Sequence, residues 1–536
     1  MSKFLWHWDS GNFALAIENY DISLDQPHPP GYIFYVGLGK LFNHFMHDAN
    51  LSFVTVNIVF TILTALFVYK ISWQLFSEAV ARMSTLLLIF NPFTWFNSLV
   101  AVSYIGDAFF NTAIAYFCFR LIQTRSHKYL CLSAIVLGLS GGLRQSTIAF
   151  MFPLFLFSLY HARLGIKANI SALFLCGIVG LTWLIPLLYE CGGYSEYLNL
   201  LSGQVSKFSA QTSILFGATF SEHYASFWQL IKWTIVGSGF AILYFLVYVY
   251  KYKESIFYRL KANVKFYFFV IWICPSYLFY LFVHLGEPGY ALSFVPATQI
   301  LIGYFIATIS VGAFSGNRFY ILKQPALLLL GLPVVCYISY FLLFDPNSLI
   351  VKKFDSFPVA NKLLNKINTM VQYHTIKEAD ALTRYYVEAI PQLAANEKQL
   401  AIVVFDGADW VWRIPMYYLP GYTCYRVATT YDDDSARFAV VSEGRVISPA
   451  SPHSIDGKVL VDFDSTKKRI LWLLPAQFKF YDLFSKTFNI KHVELAGRVL
   501  YVTDIDPGMG CREFGNMIFN FNIPVKNQNN FTRGHD

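Results

Sequence analysis

The sequence predicts a polytopic α-helical membrane protein that ends in an α/β domain, and three observations carry that reading. Of 536 residues, 55% are hydrophobic and 14% are charged, against about 25% charged in ordinary soluble chains. Apolar runs separated by short basic connections fill residues 52–344. Beyond Phe344 the composition changes, and from residue 400 the texture is of short β-branched and aromatic runs bounded by turn residues. The abundance of Phe (52) and Tyr (35) fits residues sitting in lipid or at its interface.

The formal net charge of +8 does not indicate nucleic acid. The basic residues fall between apolar runs, as the positive-inside rule requires, rather than along a binding stripe. The eight cysteines contain no CxxC pair and no His/Cys cluster, which argues against a structural zinc site.

Residues 1–50 form an outer acidic loop in this reading. The stretch Trp8–Leu41 holds Asp9, Glu18, Asp21 and Asp25, then Pro27-His28-Pro29-Pro30-Gly31-Tyr32. Adjacent prolines fix φ and disfavour helix in the preceding residue, so a stiff extended turn is expected at 27–31. Ten runs follow that can each cross a hydrocarbon core, near 52–70, 83–102, 104–122, 128–143, 146–162, 169–190, 227–250, 264–284, 291–313 and 325–344. The runs 128–143 and 146–162 are short, and charge decides that they are two crossings. Arg125 and Lys128 precede them and Arg163 and Lys167 follow, so two crossings return both groups to one side.

Charge also sets the orientation. Loops carrying Lys70 and Arg82, Arg120 and Arg125, Arg163 and Lys167, Lys251 to Lys265, and Arg318 and Lys323 are expected to be cytoplasmic. Residues 1–50, the loops near 103–107 and 191–226, the turn 284–290 and the tail then face outside. The loop 191–226, with Tyr194, Tyr197 and Phe208 spaced through it, is long enough to hold a helix lying on the membrane. An exported N-terminus of about 50 residues without a signal points to a further helix upstream.

Residues 346–399 read as an amphipathic helical connector. From 400 to 536 an extracytoplasmic α/β domain is expected, with strands at 400–405, 422–429, 437–442, 458–463, 469–474 and 498–503 and helices near 478–487 and after Asp406. Whether Cys424 and Cys511 pair is open, since sequence does not give their separation.

Chemistry-bearing residues cluster in the loops assigned outside. Asp9 is a carboxylate beside the membrane, suited to act as a general base, although a solvated loop Asp reads the same way. Asp107, at the mouth of the third span, is either a site residue or a helix N-cap. Arg144 is a cation on the side otherwise depleted of them, suited to grip a phosphate or to snorkel to headgroups. His284, Glu287 and Tyr290 occupy a breaker-rich turn that is expected to face the same cleft. His28 is a further candidate contact for substrate or metal.

In this order — Asp9, then His28-Pro29-Pro30-Gly31, then Asp107, then Arg144 — the pattern resembles the C-type membrane glycosyltransferases, the protein O-mannosyltransferases and aminoarabinose transferases among them. The likeness covers roughly residues 5–160 and the later spans by pattern alone. It implies that 51–345 is a transmembrane glycosyltransferase region. It also implies an inverting sugar transfer from a polyprenyl-phosphate donor to a glycan, lipid or protein acceptor on the outer face. Asp9 would be the base, Asp107 would shape the site and Arg144 would hold the donor phosphate, with His28, Pro30, His284, Glu287 and Tyr290 binding substrate or supporting the site. A divalent metal requirement is left open. The expected location is a cell membrane, as a multi-pass bacterial inner-membrane protein with the C-terminal domain outside.

Two other readings compete. A flippase for a lipid-linked glycan calls for an ionisable relay or paired half-helices near the midplane, whereas most charges here sit at span ends. A non-catalytic scaffold requires an outer binding surface, for which the aromatic segment Trp410–Tyr422 is the candidate.

Overall fold

The computed structural model describes residues 1–210, 212–239, 243–251, 264–312, 324–345, 368–429, 436–449, 458–476, 478, 480–506 and 508–523. The basic loops around 252–263 and 313–323, and residues 346–367 of the connector, lie outside the described residues. The chain forms two compact units. One comprises Met1–Lys3 and Ala16–Lys377, the other Phe4–Leu15 and Glu378–Asp536.

The first unit is helical. The stretch expected to be an acidic loop is largely helix, with α1 at Trp8–Glu18 and α2 at Ile33–Met46. Between them Asp21 caps a short 3-10 turn through its side chain, which accepts from the Ser23 N–H at 2.9 Å. Each apolar run then falls on helix: α3 (Ala49–Leu75), α4 (Glu78–Phe90), α5 (Pro92–Leu99), α6 (Tyr104–Thr124), α7 (His127–Leu143), α8 (Gln145–Ala162), α9 (Ile166–Glu190), α11 (Phe220–Ser238), α12 (Leu243–Lys251), α13 (Val264–Phe282), α14 (Val295–Gly312) and α15 (Gln324–Leu342). The loop 191–226 does contain a helix, α10, at Tyr194–Ser209.

Among the described residues, four helices, α3, α6, α9 and α13, are long and apolar enough to cross a membrane, and α11 with α12 adds a fifth span if the pair, bent by 73°, crosses as one. The chain is a multi-pass membrane protein.

Several of the expected runs are not single helices of the expected bounds, 227–250 among them, which falls on α11 and α12. The run 83–102 breaks between α4 and α5 because Pro92 has no N–H to give and holds Asn91 extended, at ψ 129. Asn91 seals the break. Its side chain accepts from the Phe93 N–H and donates to the Gly237 carbonyl at 2.6 Å. The run ending at 284 stops earlier, at Phe282, where the Phe279 carbonyl accepts from both Val283 and His284. His284 therefore belongs to the turn and not to the helix.

The second unit is built on a seven-stranded sheet of order β4-β3-β2-β1-β6-β8-β7, with a three-stranded sheet β5-β10-β9. The strands are β1 (Leu400–Phe405), β2 (Thr423–Thr429), β3 (Ala436–Glu443), β4 (Val446–Pro449), β5 (Val459–Asp464), β6 (Arg469–Leu473), β7 (Lys491–Leu495), β8 (Arg498–Asp504), β9 (Cys511–Phe514) and β10 (Met517–Ile523). The apolar run LAIVVF is β1, buried at every position and parallel to both β2 and β6, as a continuous apolar strand should be. Helices α16 (Tyr373–Ala389), α17 (Arg413–Tyr418) and α18 (Tyr481–Thr487) complete the chain. Phe405, Trp472, Phe484, Phe488 and Phe519 make the core. Cys424, buried on β2, and Cys511, exposed on β9, are both free thiols.

Candidate functional site

Helix α6 packs against α3, α7 and α8. At Gly106 it approaches the end of α7 so closely that a Cβ there would lie 2.6 Å from Leu143 Cδ1. That approach sets the next residue, Asp107, beside Arg144. Arg144 is the single extended residue (φ −147, ψ 121) that separates α7 from α8.

The carboxylate and the guanidinium form an ion pair, with Arg144 Nε 3.1 Å from Asp107 Oδ2 and side chains 8% and 4% exposed. Thr147, in the first turn of α8, donates its hydroxyl to Asp107 Oδ1. Asp107 is not the N-cap: it sits inside the first turn of α6, buried and paired, with Ser103 at the N-cap position.

The faces of the guanidinium are covered by aromatic rings. Its carbon lies 5.0 Å from the Tyr104 ring centroid and 4.8 Å from that of Tyr290. Such contacts fix a cation without using its N–H groups. Nη1 is buried and has no hydrogen-bond partner among the described residues. A buried, unsatisfied charged donor is costly, so its presence suggests a ligand position.

The turn after α13 supplies Tyr290 and His284 to this cluster. Tyr290 stacks on Tyr280, and its hydroxyl is 3.4 Å from His284 Nε2. His284 Nδ1 lies 3.3 Å from the Thr212 hydroxyl. Burial, and secondarily the Arg144 charge, lower the His284 pKa to about 4. Glu287 caps the 3-10 turn Pro288–Ser293 by position, without a side-chain cap bond.

The His28–Gly31 turn reaches the same helix junction by a chain of contacts. Gln145, next to Arg144, donates to the Tyr197 hydroxyl, and that hydroxyl lies 3.5 Å from the Pro30 carbonyl. The turn is closed by a bond from the Gly31 N–H to the His28 carbonyl and by the Tyr20 hydroxyl, which donates to the Gly31 carbonyl at 2.7 Å. The His28 ring packs on Tyr32 at 4.9 Å.

Asp9 belongs to the other unit. It lies in the first turn of α1, within the segment Phe4–Leu15 that groups with Glu378–Asp536. The segment considered as an outer binding surface is mostly interior. Trp410 and Trp412 are 2% and 3% exposed, and Ile414, Met416, Leu419 and Tyr422 are also buried. No group of three or more His, Cys, Asp or Glu gathers in metal-binding geometry among the described residues.

Residues 9–166, which span Asp9, the His28–Gly31 turn, Asp107, Arg144 and Thr147, match the family described as Protein O-mannosyl-transferase TMEM260 N-terminal domain. ArnT from Cupriavidus metallidurans in the apo state aligns at a TM-score of 0.51 and 12% identity, over 94% of this chain and 94% of that one. The chain has the C-type glycosyltransferase fold. ArnT from the same organism bound to undecaprenyl phosphate aligns at 0.51 and 11% identity, over 94% of this chain and 95% of that one. No match to a curated protein sequence was found.

Within the C-type fold, the residues that sequence reasoning passed over are Tyr104, Thr147 and Tyr280. Tyr104 stands three residues before Asp107 on one helix, a spacing that places both on one face. Thr147 and Tyr280 carry no such local signal, because their roles depend on the meeting of separate helices.

Proposed function

We propose that this protein is a membrane glycosyltransferase that moves a sugar from a polyprenyl-phosphate donor to an acceptor on the extracytoplasmic face, with inversion at the anomeric carbon. The observation that carries this reading is Arg144, paired through Nε, enclosed by two tyrosine rings and left with a buried donor at Nη1. A guanidinium presents its N–H groups in a planar fork that suits phosphate oxygens. The shared fold supports the donor class, since the ArnT structure binds undecaprenyl phosphate.

The chemistry follows from where charge develops. The donor's isoprenoid tail dissolves in lipid and leaves its phosphate-linked sugar at the interface. The acceptor atom attacks the anomeric carbon opposite the phosphate, and the carbon–oxygen bond to phosphate breaks. The electron pair goes to the polyprenyl phosphate, which Arg144 stabilises, and the acceptor proton goes to Asp9 as general base. Asp107 and Thr147 keep the guanidinium aimed, so little reorganisation is needed as the charge appears. His284, Tyr290, Glu287, His28 and Pro30 shape the surroundings of the donor.

The test uses the full-length protein in nanodiscs. Undecaprenyl phosphate is expected to bind the wild type and to bind Arg144→Ala ~10- to 100-fold more weakly, the loss typical of a hydrogen bond to a charged group. Transfer from a panel of undecaprenyl-phosphate-linked hexoses and pentoses should fall in parallel, and Asp9→Asn should abolish transfer while leaving binding intact. Undiminished lipid binding by Arg144→Ala overturns the phosphate assignment. Undiminished transfer by Asp9→Asn overturns the base.

A further inference from the structure

We infer that the C-terminal α/β domain is part of the catalytic apparatus, because it sets the position of Asp9 through a cradle around Trp8. This rests on the proposed role of Asp9 and extends it to residues of the second unit that no motif marks.

The cradle is assembled from separate parts of the domain. The Phe4 N–H donates to Asp380 Oδ1 at 3.0 Å, and the Leu5 N–H donates to the Tyr418 hydroxyl at 2.9 Å. Phe4 also meets the Tyr418 ring edge-on at 5.3 Å. Two main-chain groups of the N-terminal segment are therefore fixed before α1 begins.

Trp8 is then held by cations. The Arg426 guanidinium carbon lies 4.7 Å from its ring and that of Arg413 lies 5.5 Å away, with Trp412 at 6.0 Å. Arg426 is itself immobilised, because Nε and Nη2 reach the two oxygens of Asp406 at 2.8 and 3.1 Å. Arg413 is 2% exposed. One turn on, Gly11 rests on Arg413 so closely that a Cβ would come within 2.8 Å of Arg413 Cβ. Asp9 follows Trp8 directly and precedes Gly11 by two residues, so the cradle fixes the backbone on both sides of it.

The buried Trp410–Tyr422 segment thereby acquires a purpose. It packs the segment that carries the proposed base. Trp8, Arg413 and Arg426 are positioning residues, since they act through Asp9.

The experiment measures transfer by the full-length protein in nanodiscs with an undecaprenyl-phosphate-linked sugar that the wild type uses. Trp8→Ala is expected to lower kcat about tenfold, because small displacements of a reacting group cost large factors. KM for the donor and undecaprenyl phosphate binding should stay unchanged, and that binding also reports that the protein is folded. Trp8→Phe, which keeps an aromatic face for the guanidiniums, should recover most of the rate. In an Asp9→Glu background, where the carboxylate is already displaced, Trp8→Ala should cost clearly less than in the wild type.

An unchanged kcat for Trp8→Ala overturns the inference, as does an equal loss in both backgrounds. These results differ from failure of the proposed function, which shows as transfer persisting in Asp9→Asn.

Discussion

Two arginines, one in each unit, put the same guanidinium to different uses. Arg144 spends Nε on Asp107, lays its faces against Tyr104 and Tyr290, and keeps Nη1 without a partner among the described residues. Arg426 commits Nε and Nη2 together to Asp406 and lays its face on Trp8. The first is oriented but incompletely bonded, which suits a receptor for an anion. The second is forked onto a carboxylate, which suits a strut. Burial separates them further, since the side chains of the Asp107 pair are 4% and 8% exposed and those of the Asp406 pair 33% and 15%.

The largest effect is expected where burial is deepest. Asp107→Ala leaves Arg144 buried without its counter-charge, a change that costs about 3–5 kcal/mol. Thermal unfolding in detergent should show that loss directly. If Arg144 is a phosphate receptor, saturating undecaprenyl phosphate supplies the missing negative charge and binds the folded state alone, so it should recover much of the stability. A variant that stays equally unstable with and without the lipid places the phosphate elsewhere.

The Arg144 charge also reaches its neighbour His284. The His284 pKa falls from the usual 6.5 to about 4, through burial first and Arg144 second. The unfolded chain therefore binds a proton that the folded chain refuses between those values. Stability from this group is complete above pH ~6.5 and is lost as the pH drops toward about 4, by roughly 3 kcal/mol at the acid end. His284→Gln, which cannot charge, should flatten the fall in unfolding temperature between pH 7 and pH 4.5. An equally steep fall in the variant assigns the acid sensitivity to other groups.

The membrane unit was the more legible of the two regions. Apolarity located its helices, and charge bookkeeping put Asp107, Arg144 and the 284–290 turn on one side, where the structure brings Asp107, Arg144, His284 and Tyr290 together. The break at Asn91, which the run 83–102 was read across, comes from Pro92, which has no N–H to extend α4 and instead opens α5. In the sheet domain the strands that sequence reveals are rich in apolar residues, such as LAIVVF and RILWL. Those it passed over include the short and largely exposed β7 (KHVEL) and β9 (CREF), and also β10 (MIFNFNI), whose Met517, Phe519 and Phe521 are buried in the core. The association of Phe4–Leu15 with residues 378–536 had no local signature at all. It depends on Trp8, Arg413 and Arg426 meeting across some 400 positions of chain, and tertiary contacts of that range leave no periodicity to read.

The smallest stability effect is expected at the strut, and its smallness is what makes it informative. The Asp406–Arg426 pair is partly solvated, so Asp406→Ala should change the unfolding free energy by about 1 kcal/mol or less. Arg426 would nonetheless lose both bonds that hold it against Trp8. If the pair exists to fix the Asp9 segment, transfer should fall about tenfold, within the ~100-fold that a 1 Å misplacement can cost, while the unfolding temperature barely moves. Asp406→Glu, which keeps the charge on a longer stem, should restore part of the rate. A fall in transfer that only tracks the small loss of stability would reduce Arg426 to an ordinary surface contact. A large fall at nearly constant stability would separate the two arginines as the geometry does, one receiving the substrate's charge and the other holding the base-bearing segment in place.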